Sequence, residues 1–341
     1  MTPASPALAL PTVSPQLAAR LGDGLVSVDA LLRTVVDHDD PFIAGASVHL
    51  TEAGGKRFRP MLTLLASELG SGINDDVVAA ATGVELTHLA SLYHDDVMDE
   101  ADLRRAVVSA NAQYGNSTAI LVGDLLFGKA SELVAGLGAE AVKIQAKTFV
   151  RLCSGQIRDD RPVPAGVDPI NYYLDVLADK TGALIATAAR YGAMFSGCSP
   201  EAVDIMRRYG ERLGIAFQLA DDLLDISSGS GESGKTPGTD LREGVATLPV
   251  LLVRQSVDPA DDRLKVLLGS DLRDDSLHAE ALTLLQAHPA MGEARERTNA
   301  VAREAQELLT PLAIGLPADS PAQEAITALA ALVESVVNRA G

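Results

Sequence analysis

Between residues 14 and 37 the apolar positions Leu17, Leu21, Leu25, Val28, Leu31, Leu32 and Val35 recur at threes and fours, the period of an amphipathic helix. The same period predicts a short helix over residues 41–52. A long helix, capped by Asn74, then runs into an aspartate-rich end near Asp99. Further helical stretches are expected at about 116–137, 139–158, 168–195 and 199–226, punctuated by Pro162, Pro164, Gly166 and Ser199-Pro200. After Pro249 the pattern returns to helix almost to the end, and no stretch sustains strand alternation. The prediction is an all-α bundle in one domain, residues 14–341, behind a Pro-, Ala- and Ser-rich lead-in, residues 1–13, read as disordered.

Two polar interruptions of this pattern stand out. LTHLASLYHDDVMDEADLRR places Asp95, Asp96 and Asp99 at the end of an apolar helix, and FQLADDLLD repeats the spacing with Asp221, Asp222 and Asp225. At 3.6 residues per turn the first and third aspartates of each set share a face, with the second just off axis. The expectation is that several carboxylate oxygens converge at each cluster, and that two such clusters facing each other hold divalent metal. The chain supplies an internal control: of its seven Asp-Asp pairs, those at Asp39, Asp75, Asp159, Asp261 and Asp274 have Ile43, Ala79, Val163, Lys265 and His278 at the fourth position onward. Those five fit helix caps or solvated charge. Only the pairs at Asp95 and Asp221 carry the third aspartate inside an apolar run.

Composition narrows the function classes. The chain is 47% hydrophobic with a net charge of −18, so a general nucleic-acid surface or an anionic-membrane face is not expected, and no window has the length of a membrane span. An anionic substrate must then meet a local basic cluster. Gly54-Gly55-Lys56-Arg57-Phe58-Arg59-Pro60 is one: three cations in a turn that opens a helix, where free N–H groups add to the attraction. Met1 to Pro15 lacks the basic start and apolar run of a signal peptide. Cys153 and Cys198 form no CxxC and read as reduced core thiols of a cytoplasmic protein.

GSGESGKT, residues 229–236, matches the phosphate-cradling GxxxxGK[ST] loop. That loop works between a buried strand and a helix N-terminus. Here a helical pattern precedes it and Pro237-Gly238 follows it, so a nucleotide site is not expected, although Lys235 remains a cation beside the second aspartate cluster.

Taken in order, GGKRFRP, HDDVMDEADLRR, Lys180-Thr181-Gly182, FQLADDLLD and GKTPGTDLREGVATLP resemble the blocks of the trans-isoprenyl diphosphate synthases, the polyprenyl synthetase family, over nearly the whole chain. The resemblance implies a helical bundle of the isoprenoid synthase type around a central cavity, working as a homodimer with Mg2+. The reaction implied joins isopentenyl diphosphate to an allylic prenyl diphosphate. By the same resemblance Asp95, Asp99, Asp221 and Asp225 bind magnesium, while Asp96 and Asp222 act through water or neighbouring side chains. Lys56, Arg59, His88 and Arg105 match contacts to isopentenyl diphosphate. Arg104, Lys180, Thr181, Gln218 and Lys235 match contacts to the allylic diphosphate, with Asp95, Asp99, Asp221 and Lys180 as the catalytic set. His94 has only its adjacency to the cluster and is left structural. Many members carry lysine where this chain has Val245.

Magnesium shared between carboxylates and substrate phosphates explains a site built of aspartates without cysteine or imidazole. Behind Asp95 the residues Ser91, Ala90, Thr87, Val84, Gly83 and Ala80 form a lane of small side chains about 22 Å long. The same small residues also suit tight helix packing. In the family, bulky aromatics at the positions of Ala90 and Ser91 stop short products, so their absence predicts a long product, octaprenyl to decaprenyl, stopped near Leu126 or Phe127. Geranylgeranyl diphosphate is the alternative if a neighbouring helix blocks the lane. A class I terpene cyclase would lack the second cluster and the GGKRFRP site, and a non-catalytic subunit of a heteromeric synthase would have lost aspartates or cations.

Overall fold

The computed structural model describes residues 13–227 and 237–338. The expected lead-in at 1–13, its last residue apart, and the stretch 229–236 with Lys235 lie outside the described residues. In chain order the elements are α1 (Pro15–Val36), α2 (Pro41–Glu52), α3 (Phe58–Ser67), α4 (Asp75–Met98), β1 (Leu103–Arg104), β2 (Val107–Val108), α5 (Ala110–Tyr114), α6 (Asn116–Ala135), α7 (Ala139–Asp159) and α8 (Pro169–Leu177). A π-helical turn, Ala178–Gly182, joins α8 to α9 (Ala183–Phe195). There follow α10 (Pro200–Ser227), α11 (Thr239–Glu243), α12 (Leu248–Gln255), α13 (Asp262–Leu267), α14 (Asp275–Gln286), α15 (Pro289–Ala313) and α16 (Pro321–Val337). The all-α prediction holds, and among the described residues the one sheet is the two-residue hairpin β1–β2. No helix among them is long and apolar enough to cross a membrane.

Helix starts follow local chemistry. The side chains of Ser14, Asp40, Asn74 and Asp168 accept hydrogen bonds from backbone N–H groups of the first turns of α1, α2, α4 and α8, three of which also begin with proline.

Two compact units can be distinguished. The first comprises residues 1–150, 184–210 and 309–331. There α4 is buried on nearly every side, from Val77 to Asp96, and packs most extensively on α6 and then on α3 and α1. Glycines allow these close approaches. A Cβ on Gly83 would stand 2.8 Å from Val134, and one on Gly192 of α9 would stand 2.1 Å from the Thr63 carbonyl of α3.

The second unit comprises residues 151–183, 211–308 and 332–341. Its core joins Leu219, Leu223 and Ile226 of α10 to Val253 of α12, Leu267 of α13 and Leu285 of α14. A Cβ on Gly155 of α7 would lie 2.6 Å from the backbone nitrogen of Lys180, so the π turn presses on α7 there.

Candidate active site

In the first unit the aspartates at the end of α4 divide their labour. Asp96 is fully buried; it accepts from Arg104 Nε at 2.5 Å and from the Ala110 backbone N–H at 3.2 Å. Asp99 is the C-cap of α4 with a largely exposed side chain, 3.6 Å from Arg104. Asp95 is half-buried. The expected convergence of three carboxylates is therefore corrected: the second aspartate turns inward to hold Arg104, and among the described residues no three acidic, histidine or cysteine side chains gather as a metal cage. Asp95, half-buried, and Asp99, largely exposed, are the two carboxylates here outside the core, which suits magnesium bound partly by water and phosphate.

The cations assemble on the chain around His88 and Asp95. The hairpin β1–β2 pairs Leu103 with Val108 and Arg104 with Val107, so Arg105 and Ala106 make the turn, both at positive φ (53° and 63°). A two-residue turn of this hand normally takes Asn and Gly. Here the Arg105 guanidinium secures it, donating to the carbonyls of Leu50 and Gly54. All four non-glycine residues at positive φ among the described residues, Arg57, Glu100, Arg105 and Ala106, lie in this neighbourhood. Each carries about 1–2 kcal/mol of backbone strain that the surrounding contacts must hold.

Arg57, between the expected contacts Lys56 and Arg59, is already spent: it donates to Asp29 at 2.9 Å and to Glu85 at 2.8 Å. Lys56 is exposed. Arg59 is different, because its buried Nε has no hydrogen-bond partner. Burial lowers its pKa to about 10, against the opposing pull of Glu85 and Asp95, so it stays charged at neutral pH. Arg105 is likewise lowered, first by burial and then by neighbouring arginines. Burial, with the charges of Arg59, Arg105, Arg104 and Arg57, pushes the His88 imidazole well below its ordinary value. It is a neutral ring among guanidinium groups. His94 contacts the Ile120 carbonyl at 3.1 Å and the ring of Phe127.

In the lane behind Asp95, Ala90 is fully buried, and its carbonyl would lie 3.2 Å from a Cβ on Gly123 of α6. Gly83 and Ala90 thus serve close packing on α6. Ser91 is half-buried, its hydroxyl donating to the His88 carbonyl at 2.8 Å. Deeper down, Gly83, Val84 and Thr87 border a cavity of ≈ 10 Å³ closed by Thr148, Thr187 and Tyr191.

In the second unit α10 presents Asp221 exposed and Asp225 half-buried, while Asp222 is buried. Asp222 accepts from the Tyr173 hydroxyl and from Gln218 Nε2 at 2.9 Å, and Thr181 donates to Gln218 Oε1 at 3.3 Å. Asp225 accepts the backbone N–H groups of Thr239 and Asp240, which opens α11 directly beside it. Lys180, on the π turn, pairs with Asp159 at 2.7 Å. The Val245 side chain is exposed and borders, with Tyr173 and Arg158, an open cavity of ≈ 670 Å³.

Burial, together with Asp221 and Asp225, raises Asp222 to about 6; burial and the same cluster raise Asp240 to about 7. Acids whose folded pKa exceeds the unfolded value bind protons more readily when folded, so they favour folding at low pH and that contribution is lost as pH rises through the folded pKa. Without divalent metal, the thermal midpoint is expected to fall by a few °C between pH 5 and pH 8. In Asp222→Asn that slope flattens, and a scanning calorimeter checks both. An unchanged slope removes Asp222 as its source.

Sequence reading missed Glu85, Tyr173 and Asp240. Glu85 had a signal, an acid three residues before His88 inside an apolar run. Tyr173 had none.

The polyprenyl synthetase family model matches residues 40–285. The chain is 47% identical over 325 residues, 95% of either chain, to the nonaprenyl diphosphate synthase of Mycobacterium tuberculosis. Among solved structures it is similar to geranylgeranyl pyrophosphate synthase from Corynebacterium glutamicum complexed with calcium and isoprenyl diphosphate, at TM-score 0.85 and 41% identity, covering 97% of this chain and 99% of that one. It is also similar to a decaprenyl diphosphate synthase from Rhodobacter capsulatus, at TM-score 0.82 and 33% identity, covering 94% and 98%. Motif order, fold and these matches agree: the chain belongs to the polyprenyl synthetase family.

Proposed function

We propose that the protein condenses isopentenyl diphosphate with an allylic prenyl diphosphate to give a long-chain trans-polyprenyl diphosphate, octaprenyl to decaprenyl in class. The observation that carries the reading is the pairing of Asp95 and Asp99, two carboxylates outside the core, with a charged, half-buried Arg59 whose Nε has no hydrogen-bond partner, beside a neutral His88. Such a cluster binds a diphosphate while leaving carboxylate oxygens for metal. The reaction needs an allylic diphosphate to leave, the isopentenyl double bond to attack the cation, and a proton to depart. The names of the Mycobacterium and Rhodobacter relatives support the long product.

Asp95, Asp99, Asp221 and Asp225 would hold Mg2+, and the fit rests on donor type: all are carboxylates, and none of the four is fully buried. Bound there, magnesium would supply positive charge beside the leaving diphosphate. The protein's own groups add to that: Arg104, fixed by Asp96, in the first unit, and in the second the cation Lys180 with the neutral hydrogen-bonding side chains of Thr181 and Gln218. Arg59, Arg105, Lys56 and His88 hold isopentenyl diphosphate. Placed where charge develops, these groups lower the barrier without reorganising.

Purified protein supplied with isopentenyl diphosphate, farnesyl diphosphate and Mg2+ should release long-chain products on sizing chromatography, and a chelator should stop turnover. A cyclised or merely hydrolysed primer would overturn the reading. One observation favours the shorter geranylgeranyl product: below Thr87 the α4 face opens on a cavity with room for about one water.

The protein is further proposed to be a cytoplasmic homodimer, without nucleic-acid partner or membrane anchor. Ile120 and Leu121 of α6 and Val142 and Val150 of α7 are exposed apolar side chains, and two faces of this kind fit a second copy. Leu121→Asp combined with Val150→Lys should halve the mass measured by light scattering. An unchanged mass would place the interface elsewhere.

A further inference from the structure

Glu85 lies on α4 inside the arginine cluster, 2% exposed, and its carboxylate accepts from Arg57 Nη1 at 2.8 Å. Arg57 also donates to Asp29 at 2.9 Å and to the Thr51 carbonyl at 3.2 Å. Its backbone stands at φ 46°, as the N-cap of α3, with no side-chain cap bond to favour that geometry. Nothing intrinsic to arginine selects a left-handed conformation. What holds it is the three-way anchoring of its guanidinium, and Glu85 is the buried charge in that anchor. Lys56 precedes this turn and Arg59 follows it by two residues, so the turn sets where both point.

Charge adds a second role. Arg57, Arg59, Arg104 and Arg105 all act on His88, and such a group of partly buried guanidinium ions repels itself. Glu85 is the foremost counter-charge felt by Arg57, Arg59 and Arg105 alike. Yet its contact runs to Arg57, leaving the Nε of Arg59 without a partner. A buried acid that neutralises the cluster from behind, without occupying the donors aimed at an anion, makes a preorganised diphosphate cradle.

We propose that Glu85 is the positioning residue of the isopentenyl diphosphate subsite: through Arg57 it fixes the left-handed turn that presents Lys56 and Arg59, and its buried charge keeps Arg59 and Arg105 assembled while leaving Arg59 Nε for the anion. This rests on the function proposed above. Glu85 touches no substrate, since its own charge would repel one, and it acts through the arginines.

The test is Glu85→Gln, which keeps shape and removes charge. KM for isopentenyl diphosphate should rise about tenfold or more, while kcat and KM for the allylic substrate change by less than about threefold. Glu85→Asp should recover part of the loss. A structural role alone would lower kcat with the folded fraction and leave both KM values in place, and that result overturns the proposal. Calorimetric titration with inorganic pyrophosphate separates the inference from the function: if wild type does not elongate, the proposed function fails, while the cradle still stands or falls on whether Glu85→Gln weakens pyrophosphate binding. Unchanged pyrophosphate binding overturns it. Should Glu85→Gln not fold, Asp29→Asn loosens Arg57 from its exposed side and should raise the same KM about two- to fivefold, and no change there overturns the proposal equally.

Discussion

Replacing Asp95 or Asp221 by asparagine is expected to lower kcat by about 10²–10⁴ while helix content stays intact. Asp221 is exposed and Asp95 half-buried, and asparagine nearly matches aspartate in volume, so the change removes charge without opening a void. The two inward aspartates provide the contrast. In Asp96→Asn, Arg104 loses a buried ionic partner and the Ala110 N–H keeps only a weaker acceptor, so thermal stability should fall along with activity. Circular dichroism melts beside single-turnover kinetics distinguish these outcomes. If Asp95→Asn or Asp221→Asn kept near-normal turnover in Mg2+, the requirement for both clusters would be wrong.

The second large effect concerns product length. An aromatic side chain placed just behind Asp95 should convert a long-chain product to the farnesyl or geranylgeranyl class while sparing the first condensation, because it occupies volume and leaves the diphosphate sites alone. The structure separates the two available positions. Ala90→Phe enlarges a side chain in the tight α4–α6 packing and should cost about 1–3 kcal/mol of stability as well. Ser91→Phe starts from a half-buried position and is the cleaner variant. Product sizing by chromatography decides the matter, and an unchanged distribution in a folded Ser91→Phe protein would show that the chain grows elsewhere.

The helices were legible because their signals are local: apolar spacing, Asn74 as a cap, proline at first turns. So were the outward aspartates, because a third carboxylate at fixed spacing inside an apolar run has few bland explanations. The direction of Asp96 was legible only through the resemblance. The roles of Arg57 and Glu85 were not, because each depends on contacts between residues 28 positions apart. Tyr173 meets Asp222 across 49 positions, and nothing in its own surroundings marks it. The turn at Arg105-Ala106 was hidden for a further reason: neither residue prefers it, and a distant anchor imposes it. Small residues on α4 read equally as lane or as packing surface, and burial assigns Gly83 and Ala90 to the packing.

The π turn at Ala178–Gly182 bears on how this chain tolerates change in length. A π turn closes its hydrogen bonds over one residue more than an α-helical turn does. Deleting one residue there would let α8 run into α9 as regular helix, and the backbone would gain in regularity. It would also rotate everything on the α8 side by about 100° relative to α9. Tyr173 would leave Asp222, and Lys180 and Thr181 could not both keep their present partners. Such a shortened chain would be a better helix and a poorer enzyme.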